Sequence, residues 1–226
     1  MNRRCTLFAC ASLLAAVWAA PLSWGEDKEP GFAALFNGKD LTGWKVYGGK
    51  AEQWGAADGL LFTKGGGGGW LMTEKEYADF DFRFEYRLPK MGNSGVAVRA
   101  PLQGDPAYAG MEIQLIDDAN WKGLRPVQYT GAIYDVVAPT KQVSKPSGEW
   151  NQMRIVAQGR RLTVELNGTT IVDANLDDYK DRAKDDPAKK LRGHPGLLRT
   201  QGHLGFQSYN HRVDFRNLRI KELPSR

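Results

Sequence analysis

The hydrophobic pattern of this 226-residue chain has a period of two almost throughout. Phe80-Asp81-Phe82-Arg83-Phe84-Glu85-Tyr86-Arg87-Leu88 alternates apolar and charged positions without a break, which predicts a strand with one wet face. Val96–Arg99 is predicted as the next strand, after a turn at Gly92-Asn93-Ser94-Gly95. Gln152–Ala157, Leu162–Leu166 and Thr170–Val172 read as a meander with turns at Gln158–Arg161 and Asn167-Gly168. His203–Ser208 and Val213–Lys221 close the series, and Leu35–Phe36, Trp44–Val46, Gln53–Trp54 and Leu60–Phe62 are short strands near its start. A helical period of useful length occurs only in Leu176–Leu191. Many short strands in about 200 residues predict an all-β sandwich or barrel. Pro and Gly spread along the chain leave room for bends, which favours a jelly roll of two antiparallel sheets.

Met111–Asp118, read M-E-I-Q-L-I-D-D, breaks this economy. If it is extended, Ile113 and Leu115 point into a core while Glu112 and Gln114 share the other face. Asp117 would return to the core side, so it asks for a bulge or a strand end. An acid and an amide on one strand face are costly as core and apt for a polyhydroxylated ligand.

The N-terminus stands apart. Met1–Arg4 is basic, Cys5–Ala20 is apolar and small residues follow, the pattern of a secretory signal with cleavage after Ala19 or Gly25. Residues 1–25 are therefore expected to be removed, leaving 26–226 as one domain that is secreted or periplasmic and not held in a membrane. The apolar run of about 16 residues falls short of the roughly 20 that a membrane span needs. Both cysteines, Cys5 and Cys10, lie in that segment, so the mature chain has no disulfide and no thiol chemistry. Loss of Arg3 and Arg4 lowers the net charge by two, from +5 to +3, too mild an excess to argue for nucleic acid. Gly65–Gly69 lacks the Lys-Ser/Thr pair of a phosphate loop and reads as backbone lying flat against another surface, a ligand among the candidates, with Trp70 opening the next strand.

Four segments carry chemistry on strand-like frames. They are Asn93-Ser94-Gly95 with Arg99; Glu112, Gln114, Asp117 and Asp118; Gln128–Tyr134; and Gly202–Gln207, where His203 and Gln207 face away from Leu204 and Phe206. Each has a plain structural alternative. Arg99 would pair with Glu112 across strands, His203 would be a satisfied structural histidine, and Asp117-Asp118 would form a turn. Their co-occurrence with aromatic residues such as Trp44, Trp70 and Tyr108 favours a sugar site. The spacing Glu112-x-Gln114-x-x-Asp117 also resembles the E-x-D-x-x-E strand of family 16 glycoside hydrolases, whose outer acids stand about 5–5.5 Å apart. Gln in place of the middle acid argues against ordinary double displacement.

A broader resemblance rests on seven motifs in order: L-F-N-G-K-D-L-T-G-W-K-V (Leu35–Val46), G-G-G-G-W-L-M-T-E-K-E-Y-A-D-F (Gly66–Phe80), N-S-G-V-A-V-R-A-P (Asn93–Pro101), M-E-I-Q-L-I-D-D, Y-T-G-A-I-Y (Tyr129–Tyr134), G-E-W-N (Gly148–Asn151), and G-H-L-G-F-Q with V-D-F-R-N-L-R-I-K-E-L at the end. Together they resemble the 3-keto-disaccharide hydrolase domain family, also described as 3-keto-glucoside 1,2-lyase/3-keto-2-hydroxy-glucal hydratase. The resemblance implies a concanavalin A-like jelly roll. It also implies cleavage of a glycosidic bond after another enzyme, a sugar 3-dehydrogenase, has oxidised C3. The ketone acidifies C2–H, so a base can drive loss of the C1 oxygen and water can add back. On that reading Glu112 or His203 is the base and Asp117 or Tyr134 the acid. Arg99 and Gln114 hold the C3 oxygen, while Asn93, Gln207 and Trp70 contact the substrate. A divalent metal ion is a possible electrophile in place of Arg99. The alternatives are a non-catalytic carbohydrate-binding module of the same fold and a glycosidase acting on unoxidised glucan.

Overall fold

A computed structural model of the chain describes residues 29–225. The segment read as a secretory signal lies outside the described residues. The fold is built from β1 (Ala33–Ala34), β2 (Trp44–Tyr47), β3 (Trp54–Ala57), β4 (Leu60–Thr63), β5 (Trp70–Tyr77), β6 (Phe80–Arg87), β7 (Asn93–Ala100), β8 (Met111–Ile116), β9 (Asn151–Gln158), β10 (Arg161–Leu166), β11 (Thr169–Asn175), β12 (Gly202–Gln207) and β13 (Val213–Glu222). They form two antiparallel sheets. The larger runs β11-β10-β9-β6-β13-β4-β3 with β1 paired to β13, and the smaller runs β2-β5-β12-β7-β8. The all-β sandwich expected from the period-two pattern is therefore the fold.

β6 shows how the pattern makes the layers. Phe80, Phe82, Phe84 and Tyr86 are buried in the core between the sheets. The alternate positions face outward and are paired: Asp81 binds Arg83 and Arg154, Glu85 binds Arg216, and Arg87 binds Asp214. The sheets meet through aromatic packing. Phe206 on β12 stacks on Phe215 of β13 with ring centroids 4.0 Å apart and meets Phe84 edge-on at 5.3 Å. Burial of such rings supplies most of the driving force for closing the sandwich.

Several local expectations change. Asn93-Ser94-Gly95 is the start of β7 and not a turn, because these residues pair with Ile116, Leu115 and Gln114 of β8. The first described strand is Ala33–Ala34, paired with Ile220 and Arg219, and Leu35 N–H extends that pairing to Leu218 C=O at 2.9 Å, one to two residues ahead of the expected Leu35–Phe36. Leu176–Leu191 forms no α-helix but two 3-10 segments, Leu176–Ala183 and Pro187–Lys189, the second opened by a proline, and an antiparallel bridge between Asp186 and Leu191. The hairpin at Asn167-Gly168 is as expected, with φ of 50° and 78° at the two turn residues. Only the ends of the glycine run lie against backbone: a methyl group on Gly69 would come within 2.5 Å of Gly49 Cα and one on Gly65 within 2.7 Å of His211 C, whereas Gly66–Gly68 have nothing within 4 Å.

Two features of the smaller sheet position the site. The chain returns along the free edge of β8, where Ile133 bridges Ile113, Tyr134 N–H donates to Glu112 C=O at 2.8 Å and Gln114 N–H to Ala132 C=O at 3.1 Å. Residues 131–134 thus act as a sixth strand. On the face away from the main core, Trp70, Met72, Ala97 and Ala100 form a second apolar cluster with Ala107, and Tyr108 packs against it. Ala107 and Tyr108 belong to the single turn α1 (Pro106–Ala109), capped by the Asp105 carboxylate on Ala107 N–H.

Candidate active site

Register puts the predicted polar residues in rows across this outer face. Tyr134, Glu112 and Ala97 are cross-strand neighbours, with Gly205 and Met72 continuing the row. Gln114 and Gly95 lie in the next row with Gln207 and Trp70. Asn93 follows, opposite Ile116. Ile113 and Leu115 are in the core between the sheets, so alternation sends Glu112 and Gln114 to the opposite face, as the sequence predicts. Gly95 has a steric role here. A methyl at that position would stand 1.9 Å from Glu112 Oε1, so the side chain lies over the bare glycine backbone.

Glu112 is 4% exposed, yet no described residue donates a hydrogen bond to its carboxyl. Burial, with a smaller contribution from the negative charge of Asp105, pushes its pKa up to about 8. The group is therefore mainly protonated at neutral pH and ionises near a working pH. Tyr134 lies directly across from it, and its hydroxyl oxygen accepts a hydrogen bond from Gln128 Nε2 at 3.2 Å. Tyr108 meets Tyr134 edge-on at 6.5 Å. Tyr108 also contacts the His194 ring at 4.5 Å and lies under the Arg192 guanidinium at 3.6 Å.

By register, Gln114, Asn93 and Gln207 lie on the same sheet face as this carboxyl. The Gln114 side chain makes only a 3.2 Å contact with the backbone N–H of Leu115, and Asn93 Oδ1 is buried without a partner. Unsatisfied polar atoms are rare in protein interiors, and Asn93 Oδ1 together with a Glu112 carboxyl that no described residue donates to marks a face suited to a polar ligand. Trp70 lies on the same face but is only 4% exposed; its ring packs in the second apolar cluster and supports the platform.

Three predicted site residues stand elsewhere. Arg99 is fully buried and holds the end of the sandwich together, donating to Ala78 C=O, Gly159 C=O and Asp79 Oδ1, each at 2.9 Å. It pairs with Asp79 and not with Glu112, so the placement at a sugar oxygen is corrected. Asp117 follows the end of β8, and its Oδ2 accepts from Met91 N–H at 2.8 Å and Asn120 Nδ2 at 2.7 Å. Asp118 likewise accepts from Thr130 N–H and the Ser144 hydroxyl. These acids fasten loops beside a cavity of about 610 Å3 that also borders Lys90, Lys145 and Ser147. His203 is buried, with Nδ1 2.7 Å from Thr73 C=O and Nε2 3.4 Å from Glu76 Oε1, and these partners on β5 do not belong to the Glu112 group. The structural reading of the histidine fits this geometry.

His194 was not signalled by the sequence. It is buried, its Nε2 has no hydrogen-bond partner and stands 4.0 Å from Asp135 Oδ2, and burial lowers its pKa to about 4, so it is neutral at pH 7. Asp105, Arg192 and His194 join the site through loops, with no spacing to announce them. The only local cues are the helix-opening pair Asp105-Pro106 and the pair His194-Pro195. Among the described residues, no three His, Cys, Asp or Glu side chains come together as metal ligands.

Comparison with known proteins agrees with this architecture. A 3-keto-disaccharide hydrolase of Bacteroides thetaiotaomicron is 26% identical over 85% of this chain and 79% of its own length. The crystal structure of a candidate glycosyl hydrolase from Parabacteroides distasonis superposes with a TM-score of 0.74 at 31% identity, over 86% of this chain and 95% of that one. A carbohydrate-binding module from Bacillus subtilis shares the fold alone, with a TM-score of 0.52 at 14% identity over 79% of this chain and 95% of its own. The family profile of the 3-keto-alpha-glucoside-1,2-lyase-like domain matches residues 31–221. With that match over most of its length, the chain belongs to this family of carbohydrate-active proteins.

Proposed function

We propose that the protein cleaves the glycosidic bond of 3-keto-glycosides by elimination across C1–C2 followed by hydration. The observation that carries this reading is the buried Glu112 carboxyl, bare of protein donors, with a pKa raised to about 8 and Tyr134 across from it. A carboxylate desolvated to that degree is a strong enough base to take a proton acidified by a neighbouring ketone. The family resemblance and the named relative support a 3-keto substrate.

In the first step ionised Glu112 takes the C2 proton, and the C–H electrons form an enolate with its charge on the C3 oxygen. Amide N–H groups of Gln114 and Asn93 face that oxygen and stabilise its charge. The enolate electrons then make the C1=C2 bond as the C1–O bond breaks. Tyr134 gives its hydroxyl proton to the departing oxygen, and Gln128 Nε2 steadies the phenolate left behind. In the second step water adds at C1 and yields its proton to that phenolate, while Glu112 returns a proton to C2. Both groups end as they began, and the sum is hydrolysis.

The substrate ketone has to be made by prior oxidation at C3, the work of a sugar 3-dehydrogenase. The leader-like N-terminus supports action in the periplasm or outside the cell. The test is to incubate the purified chain with a methyl 3-keto-glucoside, a 3-keto-disaccharide and each unoxidised parent. Turnover of the keto compounds alone is expected. Turnover of the parents alone would replace the elimination reading with ordinary glycosidase action, and binding without turnover would make the chain a binding module.

A further inference from the structure

Beside the Glu112 face lies a cavity of about 470 Å3 that the chemistry above does not use. It opens between α1 and the loop that precedes β12, bordered by Asp105, Tyr108, Lys184, Asp185, Arg192 and Gly193. Its volume falls within the range of about 300–1,000 Å3 found for small-ligand sites, with room for one sugar ring. Two of its walls are shared with the candidate active site. Asp105 is close enough to Glu112 to help raise its pKa, and Tyr108 meets Tyr134 at 6.5 Å. The cavity therefore lies on the Tyr134 side of the carboxyl.

The wall is held in a defined shape. The Arg192 guanidinium stacks 3.6 Å over the Tyr108 ring, and its Nη1 is 3.1 Å from Asp105 Oδ2. Asp185 Oδ1 accepts from Gly193 N–H at 2.7 Å and closes the loop on itself. Planar guanidinium and carboxylate groups at a half-open rim suit hydroxyls, and they are poor partners for an apolar group.

We infer that this cavity is the subsite for the leaving half of a two-ring substrate, with Arg192 and Tyr108 setting the preference for a sugar over a small alcohol. The inference rests on Tyr134 as the acid at the departing oxygen, since that assignment points the leaving group toward Tyr108. The cleaved bond then lies between Glu112 and Tyr134, the oxidised ring rests on Gln114, Asn93 and Gln207, and the second ring occupies the cavity.

The test compares a 3-keto-disaccharide with a methyl 3-keto-glucoside, which has no second ring. Arg192→Ala is expected to raise KM for the disaccharide about tenfold and to lower kcat/KM for the methyl glycoside by a clearly smaller factor. Lys184→Trp, at an exposed rim position, narrows the cavity and is expected to act in the same direction. An equal fall on both substrates, or no change on either, would overturn the subsite. If the wild-type protein turned over neither compound, the elimination reading would fail by itself. The subsite would then be judged by titrating maltose, with binding weakened by Arg192→Ala as the supporting result and unchanged binding as the contrary one.

Discussion

The two ends of β8 carry acids that burial does not distinguish. Glu112 is 4% exposed and Asp117 6%. Their partners separate them. Asp117 accepts hydrogen bonds from Met91 N–H and Asn120 Nδ2, and its neighbour Asp118 from Thr130 N–H and the Ser144 hydroxyl. Glu112 lies over Gly95 with only the Asp105 charge and an unfilled polar face around it. A buried carboxylate whose lone pairs are filled stabilises the fold, and one left bare costs stability in exchange for reactivity. Hydrogen-bond satisfaction, more than burial or position in a motif, separates the structural acid from the reactive one.

Substitutions at the two ends should part activity from stability. Glu112→Gln keeps the shape and removes the base, so kcat/KM on a 3-keto-disaccharide should fall about 10³-fold, within the range for loss of a general base, with folding retained. Arg99→Met leaves Asp79 buried without its ion pair, and denaturant unfolding should show a loss of about 3–5 kcal/mol. Asp117→Ala removes an acceptor from two donors and should cost about 3 kcal/mol of stability, with kcat/KM per folded molecule within about threefold of wild type. A collapse of activity in folded Asp117→Ala would erase the contrast between the ends. Tyr134→Phe should lower kcat by about 10²-fold with little change in stability, read by steady-state kinetics.

The smallest effect is on the pH dependence of stability. The folded-state pKa of Glu112, about 8, lies above its ordinary 4.5, so the folded protein keeps a proton that the unfolded chain has lost. Stability from this group is full below about 4.5 and is lost as pH rises through 8. His194 runs the other way: its pKa of about 4 lies below 6.5, and its contribution is lost as pH falls from 6.5 toward 4. Between pH 6.5 and 8 the Glu112 slope stands clear of that effect, and urea midpoints should show it flattened in Glu112→Gln.

Much of this was legible in the chain. The period-two pattern gives the sandwich, and strand parity gives the face shared by Glu112 and Gln114, since both follow from local alternation. The rest depends on partners distant in sequence. Arg99 carries every mark of a ligand contact, but what occupies it is Asp79, 20 residues away, and two backbone carbonyls. Asn93-Ser94-Gly95 looks like a turn by composition and is a strand because β8 is there to pair with it. Asp105, Arg192 and His194 reach the site on loops whose course no periodicity encodes.

The central claim is that Glu112 takes the proton from C2, and hydrogen exchange at that carbon tests it most directly. A methyl 3-keto-glucoside incubated with the protein in deuterium oxide should lose its C2–H resonance at a rate that rises with pH toward about 8, and Glu112→Gln should abolish the protein-dependent exchange. Exchange at the wild-type rate in folded Glu112→Gln would contradict the account.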